Sequence, residues 1–529
     1  MKNRKVNYAY YEHSLVNNLF ELLEMKYKSN PDDIAFSYHE NNLKINKTFK
    51  DVYNEVLDLS KYFYKNYKNT NIGIIGENSY NWIITYLAII ISGNVAVLYD
   101  KDIDFELLKK LIKTSDTKAI YYSKYYNEYI KDMKIKSFPL EDIYEYIKVS
   151  KNAKNEYEMD NDKTACIFFT SGTTGIPKGV ELTNRNITYD IYAASSIFKP
   201  VKGVTVSILP YHHAFGLITA VLKPFYYDME IYISTSLMKV NKDFEREKPT
   251  TLFLVPAFIE TFYKRIWKSA RKTGKDKKLT RGIKISDCLL KLGIDLRKKL
   301  FKDILDSFGG NLTYIICGGA YLDPKYVTWF RSIGIEILNG YGITECSPVI
   351  SVNRNEYYRD GSVGQPVKGI DVKIIDDEIC VKGPIVMKGY YKNKKETEKV
   401  LSSDGYFHTG DLGYIDKDGF IFIIGRSKNL IILSNGENIS PEVIEEELLK
   451  DEGVEEVVVY EKDKHIIASI YPSEKFLNNQ EYFDNLIKSY NSDKPINHSI
   501  SQVKLRTTEF IKNNNRKILR NKVEEENEK

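Results

Sequence analysis

Up to about residue 425, short apolar runs rich in β-branched residues alternate with stretches of helical periodicity. The runs at 72–75, 165–169, 204–209, 251–255, 314–316 and 336–338 predict strands. This alternation predicts an α/β fold of layered, mostly parallel sheets. Positions 82–99 carry no charge and approach the length of a membrane span. Ser92-Gly93-Asn94 breaks that stretch, so it predicts a buried helix to about 92, a turn, and a buried strand at 95–98. From 371 to 424 the runs shorten, with Asp-Gly turns at 404–405 and 418–419, which predicts a β-rich subdomain. Near the C-terminus, Ser440 is a candidate N-cap, Pro441 suits the first helical position, and Ile439 and Ile444 can staple across the cap. That helix is expected to reach about 450, with Gly453 past its end and a strand at 456–460. The expected organisation is a large N-terminal domain, 1–425, and a small α+β C-terminal domain, 426–529.

Composition narrows the class. At 529 residues the chain is long enough for two domains, and 43% hydrophobic with 28% charged residues suits a soluble globular protein. A net charge of +5 suits anionic ligands such as ATP without singling out nucleic acid, and no nucleic-acid partner is expected. The five cysteines, Cys166, Cys288, Cys317, Cys346 and Cys380, form no CxxC pair. Their spacing argues against zinc and a disulfide framework, and for a reducing cytosol. The polar segment 1–18 has no apolar signal core, so a cytoplasmic location is expected.

The segment 170–179, Thr-Ser-Gly-Thr-Thr-Gly-Ile-Pro-Lys-Gly, carries the strongest chemistry. It follows a predicted buried strand. Thr170, Ser171, Thr173 and Thr174 supply hydroxyls, and Gly172, Gly175 and Gly179 let the backbone approach an anion. Successive N–H groups can form a nest around phosphates, and Lys178 adds a positive charge. The spacing differs from the GxxxxGK[ST] loop of ordinary nucleoside triphosphatases.

This segment resembles the phosphate loop of the adenylate-forming superfamily: acyl-CoA synthetases, carrier-loading adenylation domains and luciferases. Other motifs of that family recur in order. Gly318-Gly319-Ala320 resembles the segment that packs on adenine, and Tyr341-Gly342-Ile343-Thr344-Glu345 its aromatic-Gly-x-Thr-Glu motif. The stretch 404–411, ending at Asp411, resembles the ribose-binding motif. Residues 425–429 resemble the hinge, and 434–441 follow it. The resemblance covers nearly the whole chain. It implies ATP contacts by the phosphate loop, Gly318, Gly319, Ala320, Tyr341, Gly342, Asp411 and Arg426, a hinge at Lys428, and a CoA contact at Gly436. The residue chemistry agrees. Tyr341 offers a flat face to a purine, Thr344 a hydroxyl near phosphate, and Glu345 a hard oxygen for Mg2+. Asp411 can accept both ribose hydroxyls. Singly, Gly-Tyr-Gly and Asp-Gly are also ordinary turn sequences.

The family chemistry has two half-reactions. A carboxylate attacks the α-phosphate of ATP and expels pyrophosphate; a thiol then attacks the acyl-adenylate carbonyl and expels AMP. Lys517 aligns with the lysine that reaches the carboxylate and α-phosphate, although Arg516 stands where the family has glycine. In the segment 209–216, His213 aligns with an acyl-site histidine and Phe215 is expected to line the acyl site. The segment has no acidic residue to pair with a substrate ammonium, which disfavours amino acids. The His212-His213 pair could suggest a metal, but it has no neighbouring Cys or carboxylate in sequence. Between 264 and 302 a strongly basic region interleaves Ile283, Ile285, Leu289, Leu290, Leu292, Ile294 and Leu296. This resembles the long-chain fatty acid subgroup, and the region is either a peripheral membrane contact or a solvated helical face. The expected activity is fatty acid–CoA ligation with ATP, Mg2+ and CoA. Alternatives are transfer to an acyl carrier protein, and a nucleotide-binding protein that has lost catalysis.

Overall fold

The computed structural model describes residues 7–41, 43–170, 177–432, 438–462, 465–477, 479–495, 498–512, 518–520 and 522–523. The chain forms two compact units, one of 1–372 with 381–407, the other of 373–380 with 408–529.

The larger unit is layered α/β. Its seven-stranded sheet runs Gly389–Tyr390, Lys178–Thr183, Thr164–Thr170, Val95–Leu98, Asn71–Ile75, Ala119–Tyr122, Lys136–Pro139. The last five of these strands are mutually parallel, and Thr164–Thr170 pairs antiparallel with Lys178–Thr183. The uncharged stretch resolves as a helix, Tyr80–Ile91, and the strand Val95–Leu98. Every residue of that helix but Asn81 is buried, so it is apolar all round because protein surrounds it. Ser79 caps it by accepting from the Trp82 N–H. Among the described residues no helix is long and apolar enough to cross a membrane.

A second sheet sets Thr251–Leu254, Tyr314–Cys317 and Glu336–Gly342 in parallel, followed by antiparallel Val349–Val352 and Gln365–Pro366. Glu336–Gly342 outruns the apolar stretch at 336–338 because its end is held by the ladder to Val349–Val352. A third, four-stranded sheet orders Leu43–Thr48, Ile34–Glu40, Glu230–Ile233 and Val204–Ser207. The basic region lies mainly on the helices Pro256–Lys272 and Asp276–Lys291 and the short helix Arg297–Leu300. Of its interleaved apolar residues, Ile283 packs against the core, whereas Ile285, Leu292, Ile294 and Leu296 are exposed.

The smaller unit has its own core. The sheet Val454–Lys462, His465–Pro472, Ile500–Leu505 packs with the helices Pro441–Leu448 and Gln480–Asn491 around Ile444, Val459, Ile470 and Phe483. Pro441 opens its helix as expected. Ser440 holds the N-cap position, but its hydroxyl caps nothing: it donates to the Ile424 carbonyl and the Glu442 carboxylate. The expected boundary at 425/426 and this division differ at 373–380 and 408–425, which fall in the smaller unit. From residue 408 the hairpin Phe407–Ile415/Ile421–Arg426 packs with the smaller unit, and its ladder joins Asp411 to Arg426.

Candidate functional site

The phosphate-loop candidates sit at a strand junction. Thr170 ends one strand, Lys178 begins the next, and the two are paired across the hairpin. Ser171, Gly172, Thr173, Thr174 and Gly175 lie outside the described residues. The Lys178 ammonium pairs with Glu396 and lies 4.9 Å from the Tyr390 ring centre. Lys178 first, and Lys399 with it, hold the Glu396 carboxyl down at about 2.

Tyr390 links this lysine to the next motif. Its hydroxyl donates to Glu345 Oε1 at 2.9 Å. Burial, and then the Glu345 charge, raise the Tyr390 pKa, so it stays a neutral donor. Glu345 is half-buried, and its backbone carbonyl accepts from the Met387 N–H at 2.8 Å. Thr344, Glu345 and Cys346 form one helical turn directly after the strand that carries Tyr341 and Gly342. Gly342 is required there: a Cβ would lie 1.8 Å from the Pro348 carbonyl oxygen.

Gly318 and Gly319 follow the strand Tyr314–Cys317, at the carboxyl end of the parallel strands, where ligands bind in open α/β sheets. Gly319 takes φ of +87°, while Gly319 and Ala320 are exposed. Phe215 reaches the same place: a Cβ on Gly318 would stand 3.5 Å from its ring. Phe215 opens a π-helical segment, Phe215–Leu222, a helix type that recurs at functional sites. His213 is half-buried, its ring 4.3 Å from that of buried His212. Burial, then His213 and Lys101, push His212 well below the usual histidine pKa. Its Nε2 lies 3.2 Å from Asp100 Oδ1, and the lowered pKa disfavours a charged pair there.

The candidates in the smaller unit form a second group. Asp411 is buried, its N–H donates to Thr409 Oγ1, and its carboxylate accepts from Arg426 Nε at 2.6 Å. Lys428 sits in the short helical turn Ser427–Asn429. Partial desolvation, then Arg426, lower its pKa, with Asp411 pulling the other way. Gly436 and Lys517 lie outside the described residues. The sequence reading missed three partners. Tyr390 and Glu396 carry no motif, and only the fold brings them to Glu345 and Lys178. Glu378 was missed too: it accepts from the Gly410 N–H beside Asp411 at 2.6 Å, across 32 residues.

The sequence pattern that defines AMP-binding enzymes matches residues 23–391, about 70% of the chain. The chain belongs to the AMP-binding enzyme family. Among relatives of this AMP-binding enzyme, the long-chain-fatty-acid–[acyl-carrier-protein] ligase AEE15 of Arabidopsis thaliana is 28% identical over 82% of this chain and 73% of its own length. The long-chain-fatty-acid–CoA ligase FadD15 of Mycobacterium bovis is 29% identical over 58% of this chain and 54% of its own. The chain thus spans about half the length of the second. ATP-bound MatB from Rhodopseudomonas palustris shares the fold, with a TM-score of 0.80 at 21% identity over 96% of this chain and 98% of that one. The o-succinylbenzoate CoA synthetase MenE of Bacillus subtilis, in complex with ATP and magnesium ion, has a TM-score of 0.74 at 22% identity over 95% and 99%. The AMP-binding enzyme fold is therefore the layered α/β fold with a smaller C-terminal unit that the hydrophobic pattern predicts.

Proposed function

We propose that this AMP-binding enzyme activates a fatty acid as its acyl-adenylate and transfers the acyl group to the thiol of CoA. The observation that carries the reading is the chain Lys178–Tyr390–Glu345, which joins the cation of the phosphate loop to a hard oxygen ligand. Adenylation brings two anions together, so the Lys178 cation and a metal ion held by Glu345 would answer its main electrostatic cost. The Glu345 carboxylate, half-buried and steadied by Tyr390, fits Mg2+. When bound, that ion would neutralise phosphate charge. Thr170 and Lys178 would hold the phosphates with Ser171, Gly172, Thr173, Thr174 and Gly175, and Thr344 would add a hydroxyl. Gly318, Gly319, Ala320, Tyr341 and Gly342 would seat the adenine. Asp411, oriented by Arg426, would accept the ribose hydroxyls. His213 and Phe215 would border the acyl group, and Gly436 the CoA arm.

In adenylation the carboxylate oxygen bonds to the α-phosphorus and pyrophosphate leaves, with Lys517 stabilising the meeting anions. In transfer the thiol sulfur bonds to the acyl carbon, AMP leaves and the thiol proton passes to solvent. The functional boundary we assign is the pivot at Lys428, separating 1–425 from 426–529 in motion. A second reading keeps the chemistry and makes an acyl carrier protein the acceptor, favoured by the Arabidopsis relative, an acyl-carrier-protein ligase. The exposed Ile285, Leu292, Ile294 and Leu296 beside Lys284, Lys298 and Lys299 support a peripheral contact with anionic membrane.

The deciding experiment is pyrophosphate release from ATP and Mg2+ with a panel of carboxylic acids, with and without CoA or carrier protein. ADP as sole product, or no release with any acid, refutes the ligase reading. Product on carrier protein alone moves the acceptor to the second reading. Lys517→Ala should slow adenylation by roughly 10²–10³-fold and spare transfer from a supplied acyl-adenylate. Lys428→Pro should do the reverse by restricting φ at the pivot. Salt-sensitive co-sedimentation with anionic vesicles tests the membrane contact.

A further inference from the structure

The smaller unit gathers a second set of chemical groups, of which Glu378 alone touches the Asp411 segment. Glu378 and Cys380 are two apart on the strand Glu378–Lys382, so they project from the same face. His408 lies on Phe407–Ile415, the neighbouring strand in that sheet. Its Nδ1 stands 2.9 Å from Glu378 Oε2 and 3.4 Å from Cys380 Sγ. One ligand atom from each of the three lies within 4.8 Å of the others, and they are the cluster of this kind among the described residues.

From this geometry we propose that Glu378, Cys380 and His408 form a binding site for a transition-metal dication of the Zn2+ class. The donor set is one sulfur, one imidazole nitrogen and one carboxylate oxygen, which suits Zn2+ and its neighbours and not Mg2+. Zinc bonds of about 2.0–2.3 Å put tetrahedral ligand atoms roughly 3.3–3.6 Å apart. The two spacings to His408, 2.9 and 3.4 Å, lie close to that range, so an ion enters by small side-chain rotations. Cys380 is fully buried and forms a fixed floor. Glu378 and His408 keep 23% and 32% of their side-chain surface exposed, which leaves a path for the ion and a water as fourth ligand. On binding, the Cys380 thiol releases its proton to solvent and the thiolate takes the metal. Glu378 is positioned beforehand, because its other oxygen accepts the Gly410 N–H at 2.6 Å. Spacing along the chain argues against zinc because the Cys–His separation is 28 residues and no CxxC exists. Only strand pairing makes the trio local.

The test titrates chelator-stripped, full-length protein with Co2+, whose thiolate complexes show a near-ultraviolet charge-transfer band. The expected result is one equivalent bound with that band, displaced by Zn2+, lost in Cys380→Ser and His408→Ala, and retained in the exposed-cysteine control Cys288→Ser. Glu378→Gln should weaken Co2+ by roughly tenfold or more. Absorption spectroscopy at the cobalt edge of the wild-type protein should find one sulfur and otherwise nitrogen and oxygen ligands, a readout independent of any variant's folding. Absence of the band, its survival in Cys380→Ser, or a sulfur-free edge spectrum overturns the proposal.

Discussion

Two glycines, one in each unit, meet different walls. In the larger unit a Cβ on Gly342 would strike the Pro348 carbonyl oxygen at 1.8 Å, and its neighbour Gly340 faces the Ser351 carbonyl at 3.0 Å. In the smaller unit a Cβ on Gly425 would meet Ser440 Oγ at 2.1 Å and Glu442 Oε2 at 2.8 Å. The first wall is backbone held in a strand ladder; the second is two side chains that can rotate. The strand carrying Tyr341 and leading to Glu345 is thus fixed by main-chain packing. The strand holding Gly425 is also laddered, to Leu412, but that ladder ends at Arg426, and the wall beside Gly425 is polar side chains that can exchange. That contrast suits a rigid nucleotide platform and a pivot, the roles proposed for them.

The largest expected effect tests the platform. Glu345→Ala should slow pyrophosphate-releasing adenylation by roughly 10²–10³-fold, about 3–4 kcal/mol. Leaving the acyl-transfer step from supplied acyl-adenylate nearly unchanged would confine Glu345 to the first half-reaction; an equal loss in both would break the division. Next comes Gly342→Ala, which should destabilise the larger unit by about 3 kcal/mol, the upper end for overpacking. Urea unfolding measures this, and a loss below about 1 kcal/mol would mean that the Pro348 backbone yields and the two walls are alike.

A pH test sharpens the picture of the smaller unit. Burial pushes the Glu445 carboxyl up to about 7, against the opposing pull of Arg520 and the Val459 N–H. A carboxyl whose folded pKa is raised binds its proton more tightly in the native state. Its stabilisation is therefore fully present below about 4.5 and is lost as pH rises through about 7. The loss should be on the order of 3 kcal/mol, followed by thermal unfolding of the smaller unit across that window. Glu445→Gln should flatten the profile, and an unchanged slope in that variant would assign the dependence elsewhere. The smallest effect is Gly425→Ala, expected to cost about 1 kcal/mol. Adding Ser440→Ala removes the nearest oxygen and should recover about half of it, a coupling that a double-mutant cycle reads directly. No recovery would mean that the wall at Gly425 is as rigid as the one at Gly342.

Much of the fold was legible from periodicity. The strands at 72–75, 95–98, 165–169 and 314–316 and the buried helix before Ser92 fall where the apolar runs and breakers put them. Burial on both faces makes parallel strands read as unbroken apolar runs. The glycine- and hydroxyl-rich loop and the Tyr341–Glu345 motif were also visible, because contiguous residues carry them. What lay hidden was whatever the chain brings together from far apart. The extension of Glu336–Gly342 depends on a partner strand. Ser440 reaches 16 residues back to the Ile424 carbonyl instead of capping its own helix. The contacts Lys178–Glu396, Tyr390–Glu345 and Glu378–His408 span 218, 45 and 30 residues. Local sequence determined which segments are strand, helix or turn, since backbone propensity and burial period act over a few residues. Only tertiary packing decided which polar groups share a site, since a hydrogen bond or a metal's ligand sphere depends on distance in space and is indifferent to separation along the chain.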